Sequence, residues 1–173
     1  VADNLIADNM KEKRDWPEYE KYTLEALDGL KIVELKKDFA ETAMDLSQFY
    51  FERNNNEDGK KYLNESDKML SQLKNEEYIT TGIRYSKMLY DWVSSYNPNY
   101  YRKMDNILTN VERILIDKED HESEYESKML RAIALLDLNI GSEERNQNIQ
   151  YADSLLNNYD FVRDWDHDFL LFE

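Results

Sequence analysis

Asp164, Asp166, His167 and Asp168 form the one cluster in this chain whose residue types suggest a metal. Three carboxylates would suit a hard cation. No Gly stands where a calcium loop needs its turn, and no Glu follows at the EF-hand distance. The cluster therefore reads as a solvated acidic turn whose Asp residues complement the dipole of a following helix. A second acidic run, Asp117, Glu119, Asp120, Glu122, Glu124 and Glu126, encloses His121. Such a run attracts a basic partner, but it reads first as a solvated loop entering a helix. His121 has no nucleophile set against it at a defined geometry. The sequence contains no nucleophile elbow, P-loop or dinucleotide fingerprint. Carboxylates such as Glu65 and Asp67 fall on exposed helix positions, where general acid–base work is not expected. With no Cys and only two His, the chain lacks disulfides, thiolate ligands and the ligands of a structural zinc site. The expectation is a protein with no catalytic residues, no metal and no cofactor.

The charge balance narrows the partners. There are 37 acidic and 22 basic side chains, for a formal net charge of −15. An acidic field repels phosphate, so nucleic acid is not an expected partner of this region. No stretch approaches roughly 18 uninterrupted apolar residues, so no membrane span is expected. Four Gly and two Pro argue against a turn-rich β-sandwich. The 41% hydrophobic and 13% aromatic content supplies a core, and a chain of this size buries about 70% of its extended surface. Residues 1–173 read as a single helical domain. Val1 in place of Met reads as a processed product or a fragment of a longer chain. Missing Cys fits any compartment, and the cytoplasm is the expected one.

The elements that must position any site are helices. Asp15-Trp16-Pro17 breaks the chain, with Asp15 as N-cap and Pro17 early in the next helix. A stripe of Tyr19, Leu24, Ala26, Leu27 and Leu30 ends near Gly29. Further helices are expected over roughly 32–53, 60–73, 77–95 and 99–116, and from the acidic run to about 139. Residues 54–59 read as a polar turn, and Pro98 breaks the chain after the third of these helices. Gly141 opens another turn. Ile149, Ala152, Leu155 and Leu156 make a last stripe before the Asp164 cluster.

The longer helices repeat. Phe39, Ala43, Leu46 and Tyr50 shift by 43 onto Gly82, Ser86, Leu89 and Val93, and again onto Tyr125, Met129, Ala132 and Leu136. Each set has one-face helical spacing. About three and a half helical hairpins of ~43 residues are expected, because one hairpin cannot bury both apolar faces but stacked neighbours can. An irregular helical bundle is the competing architecture.

The units Met44–Tyr50 with Lys61–Leu70, and the endings Val111–Leu115 and Tyr151–Leu156, resemble tetratricopeptide-like repeats. The resemblance covers most of the chain, but that family repeats every 34 residues. It implies an all-α stack of antiparallel hairpins, an α-solenoid that binds protein or peptide on its concave side. Residues 96–138 also resemble the ligand-sensing region of Gram-positive peptide-responsive transcription regulators, although nothing here resembles their helix-turn-helix.

On the faces opposite the apolar line lie Glu41, Asp45, Gln48 and Glu52, then Arg84, Met88, Asp91 and Ser95, then Ser127, Arg131, Ala134 and Leu138. Gln48, Arg84, Met88, Asp91 and Arg131 are the expected ligand contacts, since an isolated Arg on an acidic groove needs a reason. Tyr96, Tyr100 and Tyr101 are read as core packing, and Asn64-Glu65-Ser66 as an accidental glycosylation pattern. The alternative function is a scaffold segment that forms homo-oligomers through its chain ends, prompted by the apolar Phe169-Leu170-Leu171-Phe172. A carboxylate-based hydrolase is the third reading, and it needs paired acids of perturbed pKa in a pocket.

Overall fold

The computed structural model describes residues 2–93, 98–137, 146, 147, 149–151, 153 and 154. Among the described residues seven helices run in order: α1 (Ala2–Glu12), α2 (Trp16–Ile32), α3 (Lys36–Glu52), α4 (Asn56–Leu70), α5 (Asn75–Trp92), α6 (Pro98–Leu115) and α7 (His121–Asp137). The described residues of 146–154 are helical too, and no strand occurs among the described residues. No described helix is long and apolar enough to cross a membrane. Each helix packs on the next in sequence, and α3 also packs on α5 and α5 on α7. The odd-numbered helices α3, α5 and α7 thus stand side by side.

Helix α3 is the partition of the core. Its Phe39, Ala43, Leu46, Phe49 and Tyr50 join α1, α2 and α4 in one apolar cluster. Its Met44 and Phe51 join α4, α5, α6 and α7 in the other. Two sides of α3 are thus covered, while Glu41, Asp45, Gln48 and Glu52 keep a third face at the surface. Small side chains bring the helices together. Ala40, Ala43, Ser47, Ser66, Ser86, Ser127 and Ala134 are fully buried. Ser47 Oγ donates to the Gly59 carbonyl at 2.7 Å across α3 and α4.

Three connections share one geometry. Arg14, Glu34 and Asn54 take φ of 58°, 59° and 59°. The following N–H groups, of Asp15, Leu35 and Asn55, donate back to the carbonyls of Met10, Leu30 and Tyr50 at 2.9, 3.2 and 2.9 Å. This is the Schellman closure, in which a left-handed residue lets the chain satisfy a terminal carbonyl. The same three residues then start the next helix by accepting from Tyr19, Phe39 and Gly59. The three closures are spaced by 20 residues.

Several expectations need correcting. The α2 helix passes through Gly29 and ends at Ile32. Asp15 holds the N-cap position without a side-chain cap bond. The polar turn ends at Asn55, whose side chain accepts from the Asp58 N–H at 3.3 Å. Gly59 is a packing residue inside α4, where a Cβ would stand 2.7 Å from the Phe51 ring. The 43-residue period is a mean of unequal steps: α3, α5 and α7 start at Lys36, Asn75 and His121, 39 and 46 residues apart. The error shows in α7. A slip of three residues turns a helix face by about 60°, so Leu136 is exposed; Ala132 is buried as expected, but Ser127, Leu130 and Ala134 are buried with it. The expected turn at Gly141, the Leu155–Leu156 stripe end, the Asp164 cluster and the 169–172 apolar run lie outside the described residues.

Candidate functional site

The expected contact residues separate into three places. Gln48, Arg84 and Asp91 lie on the adjoining surfaces of α3 and α5. Gln48 Nε2 donates to Glu52 Oε1 at 2.8 Å along α3. Arg84 crosses from α5 to α3, where its Nη2 donates to Asp45 Oδ1 at 2.5 Å, with both side chains about two-fifths exposed. Met88 does not share this surface. It is buried in the core with Met104 and Leu108.

Arg131 lies elsewhere. Its Nε donates to Asp105 Oδ1 at 2.7 Å and its Nη1 to Glu112 Oε2 at 2.8 Å, both on α6. Nη1 also donates to the Tyr151 hydroxyl at 2.9 Å. Burial works against the charge. The Asp105 hydrogen bond and the charges of Glu112 and Asp105 outweigh it and hold the guanidinium more firmly protonated. This is a clamp between helices. Ser127 and Ala134, expected on the open face, are buried, and Ser95 and Leu138 lie outside the described residues.

A second inter-helix bond extends the α3–α5 surface to α7. Lys87 Nζ donates to Glu126 Oε1 at 2.7 Å. The Asp45–Arg84 and Lys87–Glu126 pairs each span 39 residues. They form rungs between α3 and α5 and between α5 and α7. Asp91 sits one helical turn beyond Lys87. Its side chain reaches solvent, yet the surrounding protein strips enough water to raise its pKa, and Lys87 only partly offsets this. Lys87 is already bonded to Glu126, so Asp91 is a carboxylate short of cation.

No family model, curated protein or solved structure matches the chain. The chemistry must be read from the geometry alone. Among the described residues no group of three His, Cys, Asp or Glu side chains is arranged to hold a metal. His121 Nδ1 lies 3.8 Å from Glu124 on the exposed start of α7. A cavity of about 430 Å³ lies between α6 and α7, lined by Glu112, Lys118, His121 and Lys128 among others. Another of about 640 Å³ flanks the α4–α5 connection at Leu73, Tyr78 and Arg113. Neither is lined by any of the five expected contacts.

Lys87 is not among the expected contacts, and Glu126 enters the sequence reading only as part of the acidic run. The 43-residue shift places Lys87 on the buried position of Met44, whereas the rungs join residues 39 apart, a spacing that only the packed helices reveal.

Proposed function

We propose that the chain is a non-enzymatic binding module of stacked helical hairpins, tetratricopeptide-like in plan, that holds an extended peptide or partner segment across α3, α5 and α7. The side-by-side packing of these three helices supports a solenoid whose odd helices line one face. The observation that carries the reading is the surface that the Asp45–Arg84 and Lys87–Glu126 rungs build across the three helices, with exposed Asp91 one turn beyond Lys87, whose charge Glu126 already takes up. A ligand cation placed there relieves a cost the folded chain already carries. Arg84 stands two helical turns away, about 10 Å along α5. That distance matches about three residues of extended peptide. The ligand class is therefore a peptide with a Lys, an Arg or a free amino end for Asp91, and a carbonyl or carboxylate for Arg84. The narrower reading, a sensor region of a bacterial peptide-responsive regulator, is a special case.

Thermal melting of the full chain against pools of short peptides tests this. Lys- and Arg-containing pools raise the melting temperature and acidic pools do not, since a ligand that binds only the folded state stabilises it. Equal responses to both pools, or none, count against the reading.

A further inference from the structure

The three equivalent helix connections differ in one respect. Ahead of the α2 start, the solvent-facing positions hold Glu12, Lys13 and Asp15; ahead of α4 they hold Glu52, Arg53 and Asn55. Ahead of α3 the same positions hold Ile32, Val33 and Leu35, which are 82%, 61% and 43% exposed. The backbone closure is the same in all three. Two of them show that it works with charged or polar side chains, so helix termination does not explain the apolar set.

What lies beside these residues points to a use. A cavity of about 230 Å³ opens there, with Leu30, Leu35, Phe39 and Met69 as its apolar lining, and Lys31, Lys36, Glu34 and Gln72 as its polar one. Neither lysine enters an ion pair among the described residues, in a chain of net charge −15. An apolar slot whose two unpaired lysines outnumber its one glutamate fits an apolar segment that carries carboxylates. The exposed residues offer far less than the ~800 Å² per partner of a standard interface, so a short segment suits the slot better than a broad surface does.

We propose that the slot at the α2–α3 connection docks residues 164–172 of a second copy of this chain. Asp164, Asp166 and Asp168 supply the charges for Lys31 and Lys36, and Phe169, Leu170, Leu171 and Phe172 supply the apolar anchors. Reciprocal exchange between two copies makes the small contact twice within one closed dimer.

The test is light scattering of the full chain over a dilution series, with Val33→Asp and Lys36→Glu beside it and thermal melts as the folding control. The expected result is a concentration-dependent dimer. Each variant weakens it by at least about tenfold, the loss of one interface anchor, while the melting temperature of the monomer is kept. Dimerisation returns when Lys36→Glu is combined with Asp166→Lys. A synthetic peptide of residues 163–173 competes with the dimer. A chain monomeric at every concentration, whether because the segment docks on its own copy or not at all, overturns the proposal. So does a dimer indifferent to both variants.

Discussion

Arg84 and Arg131 look alike in the sequence, each an isolated cation on a long helix of an acidic chain. In the structure they differ in how many carboxylates they hold. Arg84 has one, Asp45, and keeps about two-fifths of its side chain in solvent. Arg131 has Asp105 and Glu112 as well as the Tyr151 hydroxyl, and only a fifth of it is exposed. The first can exchange its partner for a ligand at little cost. The second cannot let go without leaving two carboxylates unpaired between helices. The number of partners, more than the presence of an arginine, separates a recognition residue from a clamp.

The largest effect expected from this contrast is at the clamp. Arg131→Ala costs about 2–3 kcal/mol, just under the roughly 3–5 kcal/mol for breaking a fully buried pair, because the site is partly exposed. Denaturant unfolding measures it, and a loss as small as that at Arg84 breaks the distinction. Tyr151→Phe, which removes a single acceptor, costs about 1 kcal/mol in the same assay. Arg84→Ala costs under about 1 kcal/mol of stability, as exposed ion pairs do, while peptide binding falls sharply. The smallest effect has the opposite sign. The pKa of Asp91 is raised in the folded state, so the folded chain holds its proton more tightly than the unfolded chain does. Its contribution is most favourable at low pH and is lost as pH rises from the ordinary carboxyl range through the raised value. Asp91→Asn therefore raises the melting temperature slightly at neutral pH. The gain vanishes in acid, and binding of cationic peptides weakens.

The helices were legible because their apolar stripes are strong: Phe39, Ala43, Leu46 and Tyr50 are all buried, as are Gly82, Ser86, Leu89 and Val93. The spacing between hairpins was not. A constant shift cannot represent steps of 39 and 46 residues, and the average carried Arg131 and Ser127 to an open face they do not share. Gly59 and Ser47 were opaque for another reason. Their types suggest a turn and a surface, but in the structure Gly59 admits the Phe51 ring and Ser47 bonds the neighbouring helix. The left-handed closures at Arg14 and Glu34 were equally hidden, because that conformation is usually signalled by Gly or Asn. Only Asn54 announced one.

The central claim is that the α3–α5 surface around Arg84 and Asp91 holds a peptide. Trp92 reports on it directly, since it ends α5 next to Asp91 and stacks on Phe51 of α3 with ring centroids 5.6 Å apart. The decisive measurement is a tryptophan-fluorescence titration of the full chain with short Lys- and Arg-containing peptides, with wild type, Arg84→Ala and Asp91→Asn side by side. The account predicts a saturable change in wild type that is weakened by at least about tenfold in each variant. It is contradicted if wild type gives no saturable change, or if the variants titrate as wild type does.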